Sequence, residues 1–233
     1  VIFEYVKKKK DYDEGRVKDI IKASDDRVEP GCQHYTICGG CSFQHLDSQK
    51  QILAKQKILI DQFKHIAKIE DVELWPALTG PYWGYRHRAR LGVKDVVKKG
   101  RVLVGFREKA RPFLAEIEQC EVLHPSVGQR LMDLSALVGQ LSIKDKVPQI
   151  EVSICDHRTA LVFRILAPLS AQDEVTLKQF ETSADVDIYT QSKGPDTIAA
   201  LSGEKAPLSY QLPNEVVLYF GPSDFVQVNV EIN

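Results

Sequence analysis

Cys32-Gln33-His34-Tyr35-Thr36-Ile37-Cys38-Gly39-Gly40-Cys41 is the stretch around which the rest of the chain is organised. Three thiols within one short loop can converge on a single centre. Gly39-Gly40 lets the backbone fold tightly between the last two and turn amide N–H groups toward sulfur. A soft cation or an iron–sulfur cluster asks for four such ligands. Cys120 is the natural fourth, because it closes Ile117-Glu118-Gln119-Cys120, where a strand end can deliver one fixed side chain. Cys155 sits in the apolar alternation Val152-Ser153-Ile154-Cys155 and reads as a small core residue. Spacing alone leaves zinc and iron–sulfur both open. The three-plus-one arrangement tilts toward a cluster, since zinc ribbons usually pair two knuckles. Five cysteines is an odd number for a disulfide framework in a chain of 233 residues, so a reducing compartment, the cytoplasm, is expected.

On the N-terminal side, residues 1–7 and 14–21 read as two strands around the charged turn that contains Lys7 to Lys10. Charges that follow the apolar residues are in the wrong order for a signal peptide. The chain has no initiator methionine, its one Met being Met132, and a start inside a strand suggests a piece of something longer. Ser24 to Gly31 is polar and ends in Pro30-Gly31, a boundary signal. Beyond the loop, Asp47 offers an N-cap for a helix over 48–68, with Ile52, Leu59, Phe63 and Ile66 as its packing stripe. Short strands follow over 85–97, 101–107 and 113–118, then a helix over 126–141. A hairpin over 150–155 and 159–166, a helix over 171–181 and strands over 216–220 and 225–230 complete the pattern. The fold class is α+β with a mostly antiparallel central domain. Apolar residues at 43% suffice for a real core, and no apolar run is long enough to span a membrane.

The formal net charge of −1 hides a local imbalance. Between Tyr82 and Arg111 ten Lys or Arg residues face only Asp95 and Glu108, a window of about +8. Strand alternation puts Arg86, Arg88 and Arg90 on one face, at a repeat of about 6.6–6.8 Å that suits successive phosphates. Tyr82, Trp83 and Tyr85 stand ready to stack on unpaired bases. RNA contact is the preferred reading over a merely solvated strand face.

The cysteine loop with Ser42-Phe43-Gln44-His45-Leu46 resembles the cluster loop of bacterial 23S rRNA uracil-5-methyltransferases of the RlmD type. Tyr85-Arg86-His87-Arg88-Ala89-Arg90-Leu91, Val104-Gly105-Phe106-Arg107, Gln119-Cys120 with Leu123, and Asp224-Phe225-Val226-Gln227-Val228-Asn229 resemble further segments of that family in the same order. The resemblance implies a 4Fe-4S cluster on Cys32, Cys38, Cys41 and Cys120, with 23S rRNA as partner and Arg86, Arg88, Arg90 and Arg107 among its contacts. It also implies S-adenosyl-L-methionine as co-substrate, touched by Gln227, and Phe225 bordering the base pocket. Residues 1–29 would be the end of an OB-like TRAM barrel with its linker, 30–222 a central cluster- and RNA-binding domain, and 223–233 the first strand of a methyltransferase domain.

Methylation at carbon 5 of uracil needs a nucleophile that adds to the ring, and a base that removes a proton. No Gly-rich strand–turn–helix for S-adenosyl-L-methionine is present, and Cys155 lacks the setting that activates a thiol. These 233 residues are therefore expected to bind RNA and a cluster, as a monomer, without catalysing methyl transfer alone. A zinc-stabilised RNA-binding module and a small electron-transfer protein are the rival readings.

Overall fold

Thr159-Ala160-Leu161-Val162-Phe163 is an almost unbroken apolar run, and a strand of that kind has to be covered on both faces. The computed structural model describes residues 1–233, the side chain of Pro213 apart. Its elements are β1 (Ile2–Lys8), β2 (Asp13–Asp19), α1 (Ser48–Gln62), β3 (Arg88–Val96), β4 (Arg101–Gly105), α2 (Pro125–Gly128) and α3 (Leu131–Gln140). They continue with β5 (Gln149–Ile154), β6 (Thr159–Arg164), α4 (Ala171–Ala184), β7 (Asp187–Gln191), β8 (Ile198–Ala200), β9 (Leu208–Gln211) and β10 (Val217–Phe220).

Two compact units divide the chain: residues 1–31 with 42–75, and residues 32–41 with 76–233. The second is built on a sheet of order β4-β3-β5-β6-β7-β8. All neighbours are antiparallel except β6 and β7, which α4 connects in parallel. The side chains of β6 explain the layering. Leu161 and Phe163 enter a core shared with Leu131, Leu134, Leu137 and Val138 of α3 and Leu177 of α4. Ala160 and Val162 point the other way, to Cys155, Tyr189 and Leu208 of β9. Cys155 is thus a core residue, as its alternation suggested. Phe163 is fully buried, which at about 25 cal/mol per Å² makes it one of the larger apolar contributions to the sheet. A capping box starts α4: Ser170 Oγ accepts from the Asp173 amide at 3.2 Å, and Asp173 accepts from the Ser170 amide at 2.9 Å.

In the first unit β1 and β2 form an antiparallel hairpin, exposed throughout. Asp47 caps α1 as expected, accepting from the amides of Gln49 at 3.0 Å and Lys50 at 3.2 Å. The helix passes into a π-helical turn over Phe63–Ala67 that Lys68 ends in the left-handed conformation. Its expected packing stripe is a correction: α1 has no buried residue, and Leu59 and Ile66 are exposed. Periodicity marks a face able to bury, not whether anything covers it.

Three further expectations give way to the structure. Residues 113–118 are not a strand but an irregular return, tied by the Arg107–Leu114 bridge and by the Ala115 amide on the Phe106 carbonyl at 2.8 Å. The helix over 126–141 is two, because Arg130, at φ −117° and ψ 20°, leaves helical geometry between α2 and α3. Residues 225–230 form no strand; they follow a turn over 221–224 in which the Gly221 amide donates to Asp224 Oδ2 at 2.7 Å.

Candidate metal centre and nucleic-acid interface

Backbone hydrogen bonds shape the cysteine loop before any ligand enters. The Tyr35 amide donates to the Cys32 carbonyl at 3.0 Å, and the Ile37 and Cys38 amides both donate to the His34 carbonyl, at 3.1 and 2.8 Å. The next residues dock on the segment after β4: Cys38 bridges Glu108, the Gly39 amide donates to Arg107 O at 2.8 Å, and the Lys109 amide donates to Ile37 O at 2.9 Å. A Cβ at Gly39 would lie 3.0 Å from that Arg107 oxygen, which is why this position needs glycine. Lys109 Nζ also lies 3.6 Å from the centre of the Tyr35 ring, a cation–π contact on the same seam.

Cys120 is placed by α2. Its amide donates to the Gly128 carbonyl at 2.8 Å, and a Cβ at Gly128 would sit 2.4 Å from the Cys120 carbonyl oxygen. Only a residue without a side chain permits that approach, a requirement that sequence reasoning missed.

No disulfide joins any of the five cysteines; Cys32, Cys38, Cys41 and Cys120 are half-buried and Cys155 is buried. The three loop thiols and Cys120 share one electrostatic neighbourhood: Cys38 feels the charge of Cys41 and Cys32, and Cys120 that of Cys41 and Cys38. Cys38 and Cys120 pack against the same core. Burial pushes both thiols up from the ordinary range, opposed by amide hydrogen bonds from Gly40 to Cys38 and from Leu123 and Val122 to Cys120. The Gly40 amide lies 3.4 Å from Cys38 Sγ. Among the described residues no three His, Cys, Asp or Glu side chains close to the separation that one metal ion requires. Four thiols, of which Cys38 and Cys120 are met by backbone N–H groups, have the donor chemistry of an iron–sulfur site, where hydrogen bonds to sulfur stabilise the anionic ligands.

The basic strand differs from its expectation in detail. Arg88 and Arg90 do lie on one face of β3, but Glu151 on the neighbouring β5 lies between them, 3.5 Å from Arg88 Nη2 and 3.0 Å from Arg90 Nη2. Arg88 also donates to the Pro222 carbonyl at 2.5 Å, and burial lowers its pKa. Arg90 remains 69% exposed in its side chain and so keeps donors for a second partner. Arg107 is exposed and donates to Pro112 O at 2.6 Å. Arg86 precedes β3 and pairs through its backbone with Leu123, and its guanidinium has no ion pair among the described residues. Nearby Trp83 is 43% exposed.

No family model matches the chain. Over its whole length it is 47% identical to a 23S rRNA (uracil(1939)-C(5))-methyltransferase RlmD of Methylococcus capsulatus and 46% identical to that of Nitrosococcus oceani. It covers 53% and 52% of those two proteins, so it spans about half their length. The chain is homologous to the RlmD-type methyltransferases from end to end. Its fold is similar to that of a Pyrococcus abyssi tRNA (uracil-54, C5)-methyltransferase solved with S-adenosyl-L-homocysteine, with a TM-score of 0.65, 21% identity, and coverage of 98% of this chain and 54% of that one.

The segment that resembles the methyltransferase entry of the RlmD type lies beside β3: the His87 amide donates to the Val228 carbonyl at 2.9 Å. Phe225 is 86% exposed and Gln227 is exposed, so neither belongs to the core of this unit. Sequence reasoning also missed a polar cluster here. The rings of His87 and His124 are 4.9 Å apart, His124 Nδ1 contacts Ser126 Oγ at 2.9 Å, and that oxygen contacts Thr159 Oγ1 at 3.0 Å. Burial first, and the neighbouring His87 second, lower the His124 pKa. No local motif signals this cluster, because its members meet only when the 82–87 turn crosses the 120–126 segment.

Proposed function

We propose that these residues supply the RNA-binding and cluster-holding functions of an S-adenosyl-L-methionine-dependent enzyme that forms 5-methyluridine in 23S rRNA. The observation that carries this reading is the shared neighbourhood of Cys32, Cys38, Cys41 and Cys120, four half-buried cysteines outside any disulfide in a chain homologous throughout to RlmD-type enzymes. On this reading the four thiolates hold a 4Fe-4S cluster, which fastens the 32–41 loop to the segment ending at Cys120. The cluster's contribution is structural, and S-adenosyl-L-methionine supplies the methyl group.

The chain's own residues bind and orient RNA. Arg86 and Arg90 offer guanidinium donors to phosphates, Arg107 extends the track, and Arg88 chiefly fixes the strand through Glu151 and Pro222. Trp83 offers a stacking face for an unpaired base. The β1–β2 hairpin, with Lys9 near its turn, is the RNA-facing end of an OB-like TRAM barrel. Gln227 and Phe225, both exposed, contact the co-substrate and border the base pocket. Methyl transfer by these 233 residues alone is not expected, since they contain no activated nucleophile.

Anaerobic purification followed by iron, sulfide and zinc analysis tests the reading. A brown protein with about four irons per chain, absent from Cys120→Ser, is expected from the ligation chemistry. One zinc per colourless chain would leave the rival zinc-stabilised module standing instead. RNA binding is tested by replacing Arg86 and Arg90 with Ala. Affinity should fall and the slope of log K against log salt should flatten by roughly 0.7 for each phosphate that is no longer neutralised. Unchanged affinity and slope would remove the basic strand from the interface.

A further inference from the structure

We infer that His34 is the positioning residue that joins the two chain segments carrying the thiols, and that this link sets how firmly a thiolate-bound cluster is loaded and kept. The inference rests on the cluster reading above and extends it to a residue outside the sulfur set.

His34 acts on both segments at once. Its carbonyl accepts the Ile37 and Cys38 amides, which curls the loop so that Cys38 turns inward. Its half-buried ring reaches to the other segment, where Nε2 accepts the Glu118 amide at 3.2 Å, two residues before Cys120. The side-chain amide nitrogen of Gln33 approaches the same Nε2 at 3.3 Å. Both of these partners are N–H donors. Nε2 must therefore be the unprotonated nitrogen, and the proton is assigned to Nδ1 from this network.

Three sulfurs from one loop and one from a segment nearly eighty positions on have to be presented together before a cluster can form. Ordering them at that moment carries an entropic cost, which a link already in place reduces. Gly39 and Lys109 hold the loop to residues 107–109, and Gly128 holds Cys120 to α2. The His34 ring joins the loop directly to the approach to Cys120.

The test uses the full chain in three forms: wild type, His34→Phe and His34→Gln. Phe keeps a ring of similar size but has no acceptor, whereas the Gln Oε1 reaches the position of Nε2. After anaerobic reconstitution, the Phe form should lose iron to a chelator roughly 10- to 100-fold faster than wild type, as orienting partners of metal ligands generally cause. The Gln form should recover most of that loss, a rescue that a packing role for the ring would not give. In the metal-free protein, hydrogen exchange at the Glu118 amide should rise about fivefold in the Phe form, matching one hydrogen bond, and return in the Gln form. Equal iron retention in all three forms overturns the inference. If wild type takes up no iron and sulfide at all, the cluster reading fails and the inference with it. Loss in both variants without rescue assigns His34 to packing and overturns the acceptor role.

Discussion

Strand β6 and the Cys32–Cys41 loop belong to the same compact unit, but different forces hold them. β6 is covered on both faces by apolar side chains, and every residue from Thr159 to Phe163 is buried. The loop has no buried residue, and what shapes it is a handful of backbone hydrogen bonds, the bond from the Glu118 amide to the His34 ring, one cation–π contact and three half-buried thiols. Burial of apolar area scales with surface removed from water and needs no particular partner. Single exposed hydrogen bonds each contribute only about 1 kcal/mol net. The sheet is thus held by its own packing, while the shape of the loop rests on individual hydrogen bonds that a bound ligand would reinforce.

Breaking the sheet side should give the largest effect. Phe163→Ala empties a fully buried position between β6 and α3. The expected cost is about 3–5 kcal/mol from forfeited transfer energy and the cavity left behind. Denaturant unfolding of the metal-free protein checks this. By contrast, Cys120→Ser in the same metal-free protein should leave the midpoint almost unchanged. A collapse of the metal-free fold in the Ser variant would show that the thiol segment carries the sheet, contrary to the comparison.

The two regions were also unequally legible in the sequence. The β5–β6 hairpin announced itself by apolar density and by the Asp156-His157-Arg158 turn, because strand burial is written into residue type at a period of two. The four thiols could be put forward as a set from identity and spacing, since few residues other than cysteine suit a soft centre. Gly128 and His34 were not. Their roles depend on segments that meet in space, Gly128 with Cys120 and His34 with Glu118, and neither leaves a local pattern. The basic strand lies between these cases. Alternation correctly put Arg88 and Arg90 on one face, but it could not reveal that Glu151 of the adjacent strand stands between them. The expected strand over 225–230 failed for a related reason: alternating Val226, Val228 and Val230 fits a strand only where a neighbouring edge is in register to pair with it.

A smaller effect sharpens the boundary between the regions. Gly128→Ala places a Cβ where the Cys120 carbonyl oxygen lies 2.4 Å away, so α2 or the Cys120 segment has to move. Overpacking of this kind costs about 1–3 kcal/mol. The displacement should weaken iron retention much more than it weakens the sheet. The measurement is chelator-driven iron loss beside denaturant unfolding in the same variant. Iron retention equal to wild type, with only a lowered unfolding midpoint, would show that Cys120 does not depend on α2 for its placement.

Acid provides the mildest perturbation, and the helical layer over the sheet meets it through Asp173 and Glu181 of α4, two buried carboxylates whose pKa values the fold holds down. Asp173 is buried at the start of α4. Burial alone would raise its pKa, but the Ser142 amide at 2.7 Å, the Ser142 hydroxyl at 2.5 Å and the Ser170 amide and hydroxyl at 2.9 and 2.8 Å overcome that penalty. The result is a pKa of about 2, against an ordinary value of 3.8. A carboxylate more acidic in the folded than in the unfolded chain stabilises the fold fully above the unfolded value. That stabilisation is lost as pH falls through the folded one. The metal-free wild type should therefore lose this contribution between about pH 4 and pH 2. Asp173→Asn, which keeps one acceptor but no charge, should be less stable by about 1–2 kcal/mol near neutrality, and the difference should narrow across that same acid window. A gap between the two proteins that stays constant from pH 7 to about pH 2 would mean that the Ser142–Asp173–Ser170 hydrogen bonds do not depend on the charge. The attachment of α4 to the end of α3 would then rest on packing alone.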